Sequence, residues 1–292
     1  MIADAERRAA GLACWTGKVR PEPLGGGISN HNFLVVDGGR RSMVRIGDDI
    51  EAHNVLRRFE LAASRAAHAA GIAPEVVHAE AGAMVFAYIE GRTLSPADVR
   101  APAMLERIVP LLRKGHKEIP RHFRGPAPMF WVFQVIRDYA ARLHEDGSRM
   151  IPQLPRLLIA AEKLEKTVGQ IDLVFGHNDL LAANLIDDGE RLWLVDWEYG
   201  GFNSPLFDLG GLASNNELPP QQEDGLFEAY FEAPLTADLR RRYAAMKCAS
   251  LLREAMWSMV SERHLQIEFD YQAYTAENLA RFEQAYAALA TG

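Results

Sequence analysis

The chain has 292 residues, with 32 Lys and Arg against 39 Asp and Glu and a formal net charge of −7. That balance disfavours nucleic acid or an anionic membrane as the main partner, because both call for a basic surface. Hydrophobic residues make up 48% of the 292, which supports packed cores and fits two lobes better than one.

Ala3 to Leu12 reads as a short amphipathic helix. It carries acidic residues and no long apolar run, so it is neither a signal peptide nor a membrane anchor, and a cytoplasmic home is the expectation. Strand-like runs follow at Lys18–Leu24, Asn32–Val36 and Ser42–Ile46, divided by Gly25-Gly26-Gly27 and Asp37-Gly38-Gly39. Glycines there supply the positive φ of tight turns. Val55 to Ala70 reads as a helix closed by Gly71, and Val76–His78 and Ala83–Ile89 as two more strands.

Past Glu90-Gly91 the character turns helical. Helices are expected over Met104–Gly115, Met129–Glu145, Arg156–Val168, Gln221–Phe231, Ala237–Glu262 and Ala273–Leu289, with Pro-rich joints at Arg121–Pro128 and Ile151–Pro155. These pieces imply an α+β protein with a small antiparallel-sheet N-lobe at residues 1–90 and a larger helical C-lobe at 91–292. Cys14 and Cys248 form no metal-ligand pattern and no disulfide framework.

The chemistry concentrates in FGHNDLLAANLIDDGERLWLVDWEYGG. Asp179 and Asn184 reproduce the five-residue step of a kinase catalytic loop, and Asp196 arrives one hairpin later. An alcohol is a poor nucleophile near neutral pH, so a carboxylate, here Asp179, must lie within hydrogen-bond reach of it. The triphosphate needs Mg²⁺ held by hard oxygen ligands, which Asn184 and Asp196 can provide. MgATP is the expected cofactor.

Upstream, Gly25, Gly26, Gly27, Ser29 and Asn30 lie between two strands, where backbone N–H groups could approach phosphates. Arg45, on the next strand, is placed to contact the α- and β-phosphates, and its fork suits phosphate oxygens. Glu60, on the helix that follows, is its natural ion-pair partner or else a solvated face residue. By analogy with other kinases, adenine is expected under Val85–Ile89, using backbone groups of the interlobe linker.

These residues resemble the choline/ethanolamine kinase family, a branch of the aminoglycoside-phosphotransferase-like kinases, in a bacterial-type member. The likeness runs from about Leu24 to Tyr286: LGGGISNHNF resembles the family's Gly-loop, MVRI its phosphate-contacting strand and GHNDLLAANLI its catalytic loop. DWEYGGFNSPLFDLG, closing at Phe207-Asp208-Leu209, and the stretch containing Ile267–Tyr271 are similar to more family-specific segments.

The resemblance implies a bilobal protein-kinase-like fold and phosphoryl transfer from MgATP to a small cationic amino alcohol, choline before ethanolamine. It implies Asp179 as base, Asn184 and Asp196 as metal ligands, Arg45 as phosphate contact, and Asp208 as a brace of the loop. Trp257 and Tyr274 match positions of an aromatic box for the cationic head, with Glu198 and Glu254 as acceptor-side carboxylates. Aromatic faces and carboxylates are what can recognise a quaternary ammonium, which has no N–H to donate.

The match departs where Glu254 stands in place of a family Trp, and where a box carboxylate falls near Asn215, with Glu217 two residues on. A kinase for an aminoglycoside, thiamine or another hydroxylated metabolite, or an ATP-binding pseudokinase module, are the alternatives. Nothing in the sequence sets the oligomeric state.

Overall fold

The structure is a computed structural model that describes residues 2–25, 30–265 and 269–291. Helix α1 (Ile2–Ala10) precedes a five-stranded antiparallel sheet built from β1 (Glu22–Leu24), β2 (His31–Asp37), β3 (Arg40–Ile46), β4 (Val76–Glu80) and β5 (Ala83–Ala87). The spatial order is β1-β2-β3-β5-β4, and α2 (Arg57–Ala69) is inserted between β3 and β4. The β2–β3 hairpin turns through Gly38 and Gly39 at φ +57° and +82° with Asp37 paired to Arg40. Two positive φ values at a two-residue hairpin loop are what glycine is needed for.

The period of two along β3 sorts its side chains. Val44 and Ile46 join Phe33, Val35, Ala83 and Val85 in a small core with Ala5 and Ala9 of α1 and Leu12 just beyond it. Arg45 therefore points to the opposite face, where its strand position pairs with Met84.

After the sheet come β6 (Arg92–Thr93), α3 (Pro96–Val99), α4 (Pro102–His122), α5 (Val132–Glu145) and α6 (Leu154–Val168). Short strands β7 (Val174–Gly176), β8 (Leu185–Asp187), β9 (Leu192–Leu194) and β10 (Gly201–Asn203) then lead to α7 (Pro205–Asn215), α8 (Pro220–Phe231), α9 (Ala237–His264) and α10 (Tyr271–Thr291). Strand β7 pairs with β10, and β6, β8 and β9 form a separate sheet. One large core joins these helices, and it takes in Ala63, Ala66 and Ala67 of α2. Helix α2 thus belongs by sequence order to the first ninety residues and by packing to the helical part.

Several expected boundaries shift. The strand expected over Lys18–Leu24 is paired only at Glu22–Leu24, since Pro21 has no N–H to offer a ladder. The helix expected from Met129 starts at Val132, because Met129 bridges to Phe202. The helix expected to end at Gly115 runs on to His122 through Pro120. Helix α7 was not anticipated. All but one of its residues are buried, so it has no amphipathic stripe to betray it. A Cβ on Gly210 would sit 3.1 Å from the Lys247 Cα, so the glycine permits the close approach of α7 to α9.

Candidate active site

Strand β7 ends at Gly176 and the chain turns through His177, Asn178 and Asp179. Asn178 takes φ +67°, a region in which Asn is better tolerated than most residues. Its side-chain amide donates to the Tyr199 carbonyl at 2.9 Å and the Gly201 carbonyl at 3.2 Å, and accepts from Asn203 at 3.0 Å. The Asp208 carboxylate, in the first turn of α7, receives the backbone N–H groups of His177 and Asn178, both at 2.7 Å. It also meets His116 Nε2 at 2.8 Å, while His116 Nδ1 reaches the Tyr230 hydroxyl at 2.7 Å. Burial pushes the Asp208 carboxyl up, but His116 and these N–H donors hold it below the usual carboxylate range. Asp208 is a brace of the turn, as expected.

His177 Nε2 donates to the Val195 carbonyl at 2.8 Å, and its Nδ1 accepts the Asp179 N–H at 3.3 Å. That pairing fits a neutral imidazole, and burial lowers the His177 pKa. The ring ties the Asp179 turn to the strand that carries Asp196. Asn184 completes the loop: its Nδ2 donates to the Asp179 carbonyl at 2.9 Å, which turns its Oδ1 the other way. Val195 N–H returns to the Asn184 carbonyl at 3.0 Å. The Asp179 carboxyl is raised well above its usual value, first by burial, then by Glu254, Asp196 and Glu198, with Arg253 opposing.

Asp196 also has φ +67°. One of its oxygens, Oδ1, meets Arg45 Nη1 at 2.7 Å, and the same Arg45 nitrogen pairs with Glu60. Burial raises the Asp196 carboxyl and Arg45 outweighs it, so the group lies below its ordinary value. Arg45 is itself buried, and its Nε has no hydrogen-bond partner among the described residues. The structure adds Arg57, which the sequence did not single out. Arg57 Nη1 lies 2.6 Å from Glu60 Oε2 and 3.2 Å from Glu198 Oε2, and its Nη2 reaches Asn30 Oδ1 at 2.5 Å. Asn30 Nδ2 in turn donates to Glu198 at 3.0 Å. Asn30 and Glu198, which the sequence assigned to nucleotide and acceptor respectively, thus share one network with Arg45, Glu60 and Arg57. Gly25 follows the end of β1, and Gly26, Gly27 and Ser29 lie outside the described residues.

On the other side, Trp257 of α9 is buried and donates from Nε1 to the Tyr199 hydroxyl at 3.0 Å. Tyr274 of α10 stands edge-on to Trp257 with ring centroids 6.5 Å apart, and donates to Glu254 Oε1 at 2.8 Å. The other Glu254 oxygen meets Arg253 Nη1 at 3.0 Å. The sequence reading set Glu254 on the acceptor side in place of a family Trp; here both of its oxygens are engaged.

Asn184 Oδ1 and Asp196 are hard oxygen donors on segments joined by the Val195 N–H to Asn184 carbonyl bond, a set that suits Mg²⁺ shared with phosphate oxygens rather than a full protein cage. Among the described residues no cluster of three His, Cys, Asp or Glu could hold a metal by itself. No helix among them is long and apolar enough to cross a membrane.

Residues 21–245 match the model of the phosphotransferase enzyme family. A probable ethanolamine kinase of Arabidopsis thaliana is 30% identical over 252 residues, which cover 75% of this chain and 65% of that one. The chain therefore spans less than two thirds of that relative's length. A choline/ethanolamine kinase family protein from Mesorhizobium loti superposes with TM-score 0.77 at 29% identity, covering 100% of both chains. LicA in complex with AMP superposes with TM-score 0.77 at 24% identity over 98% of both chains and shares the same protein-kinase-like fold.

Proposed function

The chain belongs to the phosphotransferase enzyme family, and from that premise we propose that it transfers the γ-phosphate of ATP to the hydroxyl of a small amino alcohol. The observation that supports this reading is the bonding of Asn184 to the Asp179 carbonyl, with Asp196 on the adjoining segment bonded to Arg45 and Arg45 in turn paired with Glu60. The likeness to the plant ethanolamine kinase and to the Mesorhizobium protein supports an amino-alcohol acceptor, and the AMP held by LicA supports an adenine nucleotide. Residues 1–90 then form the nucleotide-side lobe and residues 91–292 the lobe that carries the base and the acceptor pocket.

Asp179 accepts the hydroxyl proton as the alcohol oxygen bonds to the γ-phosphorus and the bond to the ADP oxygen breaks. Its raised pKa makes it a stronger base than an ordinary aspartate once it is ionised. His177 and Asp208 hold the turn so that this carboxylate keeps its position. Asn184 and Asp196 would hold Mg²⁺, which would supply neutralising charge at the phosphates. Arg45 offers its buried Nε–H edge on the same side. Trp257, Tyr274 and Tyr199 wall the acceptor side.

The test is ADP release from MgATP with choline, ethanolamine, thiamine and kanamycin offered separately. Turnover with an amino alcohol supports the reading. Turnover confined to kanamycin or thiamine keeps the chemistry and refutes the acceptor class.

A further inference from the structure

The aromatic side of the cleft already contains a cation of the protein's own. Arg253 of α9 has a side chain only 4% exposed. Its guanidinium lies 4.5 Å from the centroid of Tyr199 and 5.5 Å from that of Phe130. Those are the distances at which an aromatic face holds a cation. Tyr199 is the residue whose hydroxyl Trp257 engages, so Arg253, Tyr199 and Trp257 form one cluster. Arg253 and Asp179 stand close enough for each to feel the other's charge.

The guanidinium is only partly satisfied. Nη1 meets Glu254, but Nε and Nη2 are buried and have no hydrogen-bond partner among the described residues. A buried, charged N–H left unpaired is costly, so the edge calls for an oxygen acceptor. The geometry of that edge, two roughly parallel N–H bonds, matches a carboxylate. Neither choline nor ethanolamine carries an oxygen besides the hydroxyl that reacts. A quaternary ammonium would also bring a second positive charge to a wall already faced by one. The carboxylates of Asp179 and Glu254, which both act on Arg253, outnumber it there, so an ammonium is still drawn in.

We propose that Arg253 sets the acceptor's head group: the alcohol carries a carboxylate beside its amine, as a hydroxy-amino acid does, and that carboxylate meets Nε and Nη2 of Arg253. The inference rests on the phosphoryl-transfer reading and narrows its acceptor. Asp179 still takes the hydroxyl proton, and Arg253 touches only the far end of the substrate.

The experiment compares kcat/KM for serine, homoserine, ethanolamine and choline in the wild-type protein, Arg253→Met and Arg253→Lys, with ATP binding and thermal melting as controls of folding. Wild type is expected to favour serine or homoserine over ethanolamine and choline by at least about tenfold, chiefly through KM. Arg253→Met should erase that preference and improve choline, and Arg253→Lys should retain part of it. Choline or ethanolamine turned over as well as the hydroxy-amino acids by wild type overturns the inference and leaves the phosphoryl-transfer reading standing. That comparison needs no variant, so a misfolded Arg253→Met does not protect the idea. Equal losses on all four acceptors in a folded Arg253→Met also overturn it. Silence of wild type towards every acceptor removes both readings together.

Discussion

Replacing Asp208 by Ala should cost more stability than its distance from solvent chemistry suggests. The carboxylate accepts two backbone N–H groups at 2.7 Å and contacts His116 Nε2 at 2.8 Å, in a side chain that is 1% exposed. Deleting it strands two buried donors, each at about 1–3 kcal/mol, so the expected loss is about 4 kcal/mol. That is a large share of a typical domain's stability of about 5–15 kcal/mol. Asp208→Asn retains the shape and one acceptor oxygen and should lose about half as much. Urea unfolding followed by fluorescence, with the slope checked for constancy, measures both. Acidification adds a second readout. The folded-state pKa of Asp208 is depressed, so its contribution is present above the unfolded value, about 4, and is lost as pH falls through the folded one. The stability of wild type should therefore drop towards that of Asp208→Asn in acid. Asp208→Ala within about 1 kcal/mol of wild type at pH 7 would refute the reasoning, because two stranded donors cannot cost so little.

Asp179→Asn should abolish turnover, leave ATP binding nearly intact and raise the melting temperature. The raised folded-state pKa means the ionised carboxylate costs stability at neutral pH, a cost the amide avoids; an unchanged or lower melting temperature would contradict this. The same shift places the acid limb of the kcat/KM profile above the ordinary aspartate range, with activity lost as pH falls through it. Arg57→Met leaves Glu60 and Glu198 short of countercharge in a buried network, so about 3 kcal/mol of stability should go, together with a higher KM for ATP, measured by melting and steady-state kinetics. Gly210→Val drives a branched side chain against the α9 backbone and should destabilise by about 1–3 kcal/mol in urea unfolding; a neutral result would mean that α7 and α9 can part at no cost.

The catalytic turn was legible because its chemistry is local. Asp179 and Asn184 are five residues apart, and the Asn184 amide bonds to the Asp179 carbonyl, so the spacing in the sequence is the geometry of the loop. Arg45 and Glu60 were legible as a pair because one strand and the next helix place them. The helical scaffold was legible where one face is apolar, as in α4 and α5. It failed at α7, which is buried all round.

The network of Arg57, Glu198 and Asn30 had no such signal. Asn30 and Glu198 are 168 positions apart, and only the tertiary fold brings Arg57, at the start of α2, between them. The pairing of Arg253 with Glu254 was hidden for a different reason. They are adjacent, yet neighbours on a helix point about 100° apart, and α9 is buried over so much of its circumference that no stripe tells which flank faces the cleft. The sequence could show that Glu254 stands where a family Trp would be. It could not show that the preceding arginine claims one oxygen of that carboxylate and Tyr274 the other. With Glu254 engaged through both oxygens, the Nε–Nη2 edge of Arg253 is what lacks a partner among the described residues. In the proposed reading the choice of acceptor turns on that edge, while the residues proposed for phosphoryl transfer stay the same.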